Sequence, residues 1–82
     1  MSYALIIASE HRPEDVPGWN PHPDIWNAAD HGADVVAMWA DRVVTTKADR
    51  MRWRDILMSG EPLDFDDEDG EPWRVQVRKV TA

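Results

Sequence analysis

The sequence predicts a small single α+β domain in which two helices cover an antiparallel sheet of about three strands. Three observations support this prediction. The chain has 82 residues, a length that suits one domain. Its composition is 43% hydrophobic and includes five tryptophans, as expected of a globular core rather than a disordered chain. Strand, helix, helix, strand and strand periodicities follow one another, which gives the order β-α-α-β-β over residues 1–82.

The first predicted element is a strand at residues 2–9, followed by a long loop. The strand sequence SYALIIAS is apolar on both faces, as in the centre of a sheet. The next stretch, residues 10–24, contains four prolines and one glycine, so we assign a proline-rich loop to residues 10–22. Trp19 lies within this loop. Its ring either packs back to hold the loop in place or is exposed to a partner.

An amphipathic helix is predicted at residues 23–41. Asn20, followed by two prolines, resembles a helix start, and Asp24 would lie in the first turn, where the helix dipole favours a carboxylate. Apolar residues then recur at spacings of three and four. These residues are Ile25, Ala29, Gly32, Val36, Trp39 and Val43.

A hairpin is the alternative for residues 35–46. In this interpretation Gly32 ends a short helix, and the β-branched sequence that follows folds back at Ala40 and Asp41. An Ala-Asp pair is a poor two-residue hairpin turn, so the helix is favoured.

The second predicted helix covers residues 47–59. Thr46 and Asp49 have the spacing of a capping box, with Asp in place of the usual Glu. The sequence Ser59-Gly60 is a typical stop signal. The core-facing residues would be Trp53, Ile56 and Leu57.

A hairpin is predicted at the C-terminal end. Leu63 and Phe65 alternate with polar residues, and an alternating run begins again at Trp73. Gly70 after an aspartate suits the turn between the two strands. Residues 64–71 would form an acidic hairpin tip.

Charge is distributed unevenly along the chain. The formal net charge is −7, from 16 carboxylates against nine lysines and arginines. Residues 1–41 carry one arginine against seven carboxylates, whereas residues 42–54 carry five basic residues against Asp49 alone. Residues 61–71 carry seven carboxylates and no base. The sequence therefore predicts an acidic protein with a basic belt.

The acidic segment does not fit a dedicated calcium loop. When Gly70 is aligned with the conserved turn position of an EF-hand, Phe65 and Gln76 fall at the first and last ligand positions, where carboxylates are required. His11, His22 and His31 match no zinc template. We therefore predict no metal. The segment remains either a solvated turn or a surface whose carboxylates imitate phosphates.

No sequence pattern indicates catalysis. Cysteine is absent, no serine lies in a Gly-x-Ser-x-Gly setting, and the four glycines form no phosphate-binding loop. The prediction is a non-enzymatic protein without a cofactor, and a metal-assisted hydrolase is the least favoured alternative. The longest apolar run is far shorter than a bilayer requires, and the first residues resemble no leader, so we expect a cytoplasmic protein without a membrane segment.

The predicted function is that of a protein-binding module, an inhibitor or a regulator. It would dock an acidic surface on a partner with a basic surface, with Trp19 as an aromatic anchor. A short, acidic, tryptophan-rich chain is compatible with an accessory protein of a phage or mobile element, including a DNA mimic. The predicted contact carboxylates are Asp64, Asp66, Asp67, Glu68, Asp69, Glu71, Asp30, Asp34 and Asp41.

The alternative function is nucleic-acid binding by the basic helix at residues 47–58. Two helices joined by a short turn, the second rich in arginine, resemble a helix-turn-helix in outline. The basic residues are Lys47, Arg50, Arg52 and Arg54. The acidic neighbours would repel phosphates, and these arginines could instead pair within the chain, so nucleic acid is the less favoured partner.

Overall fold

A computed structural model of the chain describes residues 2–18, 20–40 and 45–80. These residues form four strands and two helices in the order β-β-α-α-β-β. The elements are β1 (Ser2–Ser9), β2 (Arg12–Asp15), α1 (Ile25–Trp39), α2 (Lys47–Met58), β3 (Leu63–Asp66) and β4 (Pro72–Val80). The α+β class and the two helices agree with the prediction.

The sheet is antiparallel throughout, with the strand order β2-β1-β4-β3. The two central strands, β1 and β4, pair along their length, from Ser2 opposite Val80 to Ser9 opposite Trp73. The middle of β1 is buried, as expected of a strand that is apolar on both faces. Its position at the centre of the sheet confirms the interpretation of SYALIIAS.

The sheet contains one strand more than the sequence predicts. Strand β2 lies inside the segment predicted as a loop, residues 10–22, and pairs with β1 near Ile7 and Asp15. All four of its residues are exposed, and one of them is Pro13, so neither alternation nor strand propensity marks it. A short, polar strand with a proline is suited to a sheet edge, where one side of its backbone needs no partner.

The remainder of the proline-rich loop covers the outer edge of β1. The backbone groups of His22 and Tyr3 exchange hydrogen bonds with N–O distances of 2.9 and 2.7 Å. The side chain of Asn20 does the same for Leu5. Its Oδ1 accepts from the Leu5 N–H at 3.0 Å, and its Nδ2 donates to the Leu5 carbonyl at 2.7 Å. The Asn20 amide therefore satisfies both backbone groups of Leu5, as a residue of a neighbouring strand would.

Helix α1 begins later than predicted. Asp24 is its N-cap, and the Asp24 carboxylate accepts from the Asn27 N–H at 2.8 Å. Asn20, which resembles a cap in the sequence, is engaged by β1 instead. The first helical residue is thus Ile25 rather than residue 23.

The helix interpretation is correct for residues 35–39, because α1 continues through them to Trp39. The hairpin alternative is therefore wrong for this stretch. Asp41 and the rest of residues 41–44 lie outside the described residues, as does Trp19.

Gly32 lies within α1 and permits a close approach of three elements. A Cβ atom added at Gly32 would lie 2.5 Å from Leu57 Cδ1 on α2 and 3.0 Å from Leu5 Cδ1 on β1. Both leucines are fully buried. Glycine disfavours helix formation, and packing explains its presence at position 32 within α1. Gly32 does not end a short helix, as the hairpin alternative assumes.

Helix α2 confirms the predicted capping box. Asp49 N–H donates to the Thr46 hydroxyl at 3.1 Å, and Thr46 N–H donates to the Asp49 carboxylate at 3.2 Å. The helix ends at Met58, one residue before the predicted boundary, and Gly60 follows with a φ of 85°.

The core lies between the helix pair and one face of the sheet. It is built from alternate residues of the strands and from the inner faces of both helices. Its largest fully buried side chains are Leu5, Leu57, Val36 and Val75. The opposite face of the sheet carries two ion pairs, Arg74–Asp64 and Arg78–Glu14.

Replacing Asn20 with alanine should destabilise the domain by about 2–4 kcal/mol. The reason is that two backbone groups of buried Leu5 lose their partners, and each unsatisfied buried group costs about 1–3 kcal/mol. Urea unfolding of Asn20→Ala measures the loss. Asn27→Ala removes an amide whose hydrogen bond to Asp24 is exposed; it is the control and should change stability by less than about 0.5 kcal/mol. An unchanged urea midpoint for Asn20→Ala would contradict the role assigned to Asn20.

Gly32→Ala should lower the free energy of unfolding by about 1 kcal/mol. Alanine favours the helix by about 1 kcal/mol, but overpacking against Leu57 and Leu5 typically costs about 1–3 kcal/mol. The same substitution in a Leu57→Ala background should be neutral or stabilising, because the atom at 2.5 Å is then absent. Urea unfolding of wild type, the two single variants and the double variant completes this double-mutant cycle. A Gly32→Ala protein that is more stable than wild type would refute the close approach.

Candidate functional site

One end of the sheet carries part of the set of residues that the sequence predicts for partner binding, the carboxylates near the β3–β4 turn. The β1–β2 turn at residues 10–11 and the β3–β4 turn at residues 67–71 lie at this end, because Ser9 is opposite Trp73 in the sheet. The C-terminal end of α1 also reaches it, through a bridge between Ala40 and Asp67. We refer to these two turns, with Asp66 and the last turn of α1, as the acidic end.

Asp67 organises the β3–β4 turn. Its Oδ1 accepts from the backbone N–H groups of Asp69 and Glu71, both at 2.9 Å, and its Oδ2 accepts from the Trp73 indole Nε1–H at 2.7 Å. Gly70 adopts a φ of 81°, which glycine tolerates best. The indole hydrogen bond, followed by the two backbone donors, lowers the pKa of Asp67. This carboxylate therefore has a structural role within the turn.

Within the described residues, the other predicted carboxylates of this segment divide into paired and unpaired groups. Asp64 forms a bidentate pair with Arg74, whose Nε and Nη2 donate at 2.6 and 3.1 Å, and these hydrogen bonds lower the pKa of Asp64. Glu71 accepts from the Ser9 hydroxyl at 3.1 Å. The exposed carboxylates of Asp66, Glu68 and Asp69 remain directed toward solvent.

A pair of tryptophans lies beside these carboxylates. The ring centroids of Trp39 and Trp73 are 5.3 Å apart with an interplanar angle of 60°, and the Arg12 guanidinium lies 5.6 Å from the Trp73 centroid. Trp39 remains 37% exposed, and its neighbour Met38 is 70% exposed. Together they border a groove of about 360 Å³ between α1 and β2, which we call the Trp groove. Exposed aromatic and methionine side chains of this kind are typical of binding surfaces.

Sequence reasoning missed that Trp39 is exposed and that Trp73 is only partly buried. The three-and-four spacing places Trp39 on the apolar side of α1, and Trp73 alternates correctly as an inward strand residue. Trp39 and Trp73 each lie near the end of their element, where fewer neighbours can cover a side chain that is directed toward the core. The signal available in the sequence was their position, since Trp39 is the last residue of its helix and Trp73 lies beside a turn.

A second, larger hollow adjoins the acidic end. It has a volume of about 650 Å³ and includes four carboxylates among its lining residues. These are Glu10, Glu14, Asp64 and Asp66. Glu14 pairs with Arg78, which lowers the pKa of Glu14 through hydrogen bonding. Glu10, which was not among the predicted contact residues, extends the acidic surface across both turns.

The predicted carboxylates on α1 are separate from the acidic end. Asp34 forms an ion pair with Arg50 of α2 and therefore faces the neighbouring helix. Asp30 lies a further turn away, about 13 Å along the helix axis from Trp39 at 1.5 Å per residue. Asp41 and Trp19 are outside the described residues, so their place in a binding surface stays a prediction.

The basic residues of α2 are largely engaged within the chain. Besides the Arg50 pair, Arg52 lies 3.5 Å from the Asp49 carboxylate, and the Arg54 guanidinium lies 5.2 Å from the Trp26 ring centroid. Lys47 is exposed at the start of the helix. Arg50 pairs with the acidic helix as the intramolecular interpretation expects, whereas Arg54 contacts a tryptophan ring and not a carboxylate.

Two histidines meet beneath the proline-rich loop. His31 Nδ1 and His22 Nε2 are 3.1 Å apart, and the rings meet edge to face. Burial of His22, together with the charge of His31, lowers the pKa of His22. His11 lies in the β1–β2 turn and is exposed. Within residues 2–18, 20–40 and 45–80, no three potential metal ligands form a cluster.

Comparison with known proteins gives no relative, since no protein-family model, curated protein or solved structure matches this chain. Across the part of the chain that the structure describes, no helix has the length and apolar character needed to cross a bilayer.

Asp67→Asn should destabilise the domain at pH 7, and the effect should shrink below about pH 4. A carboxylate whose pKa is lowered on folding contributes stability above its unfolded pKa, about 3.8, and loses it as the pH falls through the folded value. Urea midpoints of both proteins at pH 7 and pH 3 test this difference. Glu68→Gln in the same turn is the control and should match wild type at both values. An equal loss for Asp67→Asn at both pH values would contradict a role for the charge.

Proposed function

We propose that this protein is a non-enzymatic protein-binding module, of the inhibitor or regulator type, that docks its acidic end on a basic surface of a partner. One observation carries the proposal: the exposed Trp39 and its partner Trp73 lie beside a turn whose outward carboxylates are unpaired within the described residues. An apolar anchor surrounded by charge is the usual arrangement of a protein interface.

The charge balance of the described surface supports this proposal. Every arginine in the described part of the chain is in contact with a carboxylate or a tryptophan ring. The paired cations neutralise carboxylates elsewhere, and among the described residues they leave Asp66, Glu68 and Asp69 without a counterion. The acidic end therefore attracts basic surfaces over roughly a Debye length, about 8–10 Å at moderate salt. A surface that normally contacts nucleic-acid phosphates has the required charge.

Two separable contributions follow from this geometry. Exposed carboxylates at the rim mainly raise the rate of association and make it depend on salt. A tryptophan that becomes buried in the interface mainly slows dissociation. Trp39 takes this role among the described residues, and the contribution of Trp19 remains a prediction.

A partner is obtained by cross-linked capture from the native host, with and without nuclease. Protein capture that survives nuclease supports a protein partner. Capture that disappears with nuclease would favour the alternative, nucleic-acid binding through Lys47, Arg50, Arg52 and Arg54. Surface plasmon resonance at several salt concentrations then measures both rate constants for the captured protein.

Glu68→Gln/Asp69→Asn should slow association and flatten its salt dependence, whereas Trp39→Ala should speed dissociation. The loss for Trp39→Ala should be about 2 kcal/mol, or about 30-fold in affinity, if the ring is a central anchor. Asp55→Asn/Glu61→Gln removes two exposed carboxylates away from the acidic end and is the charge-matched control. The proposal fails if the test and control pairs change association equally at every salt concentration.

A further inference from the structure

The Trp groove already holds a guanidinium from the protein itself. Arg12 is exposed on the edge strand β2, yet its guanidinium lies 5.6 Å from the centroid of the Trp73 ring, within the range of a cation–π contact. The groove wall also includes the exposed Asp15. No hydrogen bond or ion pair engages the Asp15 carboxylate within the described residues.

We propose that the Trp groove binds an arginine side chain of the partner, which displaces Arg12 from the Trp73 ring and lies in the groove that Trp39 and Asp15 border. This inference rests on the proposed function and specifies the chemistry that the partner must present. Arg12 then acts as an internal competitor that occupies the groove until a partner arrives.

Arginine fits the groove better than lysine for geometric reasons. A guanidinium is planar, stacks on aromatic faces and can present two N–H donors to one carboxylate, whereas an ammonium is a strongly hydrated point charge. The fold uses the same contact elsewhere, where Arg54 lies 5.2 Å from the Trp26 ring centroid. The surrounding charge is complementary, since Asp15 and the acidic end both attract a cation.

Displacement of Arg12 is structurally feasible. Arg12 lies at the start of a four-residue edge strand whose residues are all exposed, so its side chain can turn into water without opening the core. Trp73 keeps its indole hydrogen bond to Asp67 at 2.7 Å, which holds the ring in place when the cation changes. The groove is thereby preorganised for a second guanidinium.

The test is a nuclear magnetic resonance titration of the full chain with three capped peptides: tetra-arginine, tetra-lysine and tetra-citrulline. Tetra-arginine should bind at least about threefold more tightly than tetra-lysine and should shift the indole signals of Trp39 and Trp73. Tetra-citrulline, which has the shape without the charge, should bind at least about tenfold more weakly than tetra-arginine.

Three variants locate the site. Trp39→Ala should weaken tetra-arginine binding by about threefold or more, as expected for loss of an exposed cation–π contact. Arg12→Ala should tighten it by about threefold because the internal competitor is removed. Arg54→Ala removes an equivalent contact at Trp26 and should leave binding unchanged. Urea midpoints confirm that each variant is folded.

Each contrary result overturns a defined claim. Equal binding of the arginine and lysine peptides, with no effect of Trp39→Ala, would refute the arginine site but leave the acidic end as a general cation surface. Failure of both cationic peptides to shift the signals of residues 66–71 would also count against the proposed function. A concentration-dependent dimer that is lost in Trp39→Ala, measured by analytical ultracentrifugation, would assign the groove to a second copy of this chain instead.

Discussion

The fold depends on the complete enclosure of Leu5. The Leu5 side chain packs against Gly32 of α1, and Leu57 of α2 packs against the same glycine. Leu5 and Leu57 are both fully buried. The Leu5 backbone lies in a central strand, so both edges require hydrogen-bond partners. The Asn20 side chain bonds both the N–H and the C=O of Leu5 on one edge of β1, while β4 pairs with β1 along the other edge. Leu5 therefore connects the helix pair, the sheet and the proline-rich loop, because each of them contacts this residue or its strand.

Local signals made part of this fold predictable, and long-range pairing explains the rest. The capping box at Thr46 and the turn at Gly70 depend on neighbouring residues, and both are where the sequence indicates. Strand β2 has no such signal, because its pairing with β1 comes from chain reversal at residues 10–11 and not from its own side chains. Asn20 shows the same limit: a good helix cap in isolation binds a strand 15 positions earlier in the chain.

The candidate site was predictable in composition but not in side-chain direction. The predicted acidic tip at residues 64–71 is longer than the turn, because Asp64 and Asp66 lie in β3 and the turn covers residues 67–71, where Asp67 is directed inward and bonds the turn backbone and the Trp73 indole. Periodicity assigns Trp39 to the apolar side of its helix, but the sheet ends beside it and leaves the ring partly exposed. The ends of the strands and helices decide which carboxylates face water and which ring remains uncovered. Sequence periodicity locates these ends least accurately.

The hydrogen bonds of the inward Asp67 carboxylate help to hold the outward carboxylates of Glu68 and Asp69 in place. Asp67 accepts three hydrogen bonds at the turn, and this ordering holds Glu68 and Asp69 in an exposed loop despite their mutual repulsion. Within the described residues Glu68 and Asp69 have no counterion, and Trp39 remains 37% exposed. Neither feature adds to the core. Their coincidence at one end of the sheet is the basis of the proposed partner-binding surface, since neither feature is needed to join β3 to β4.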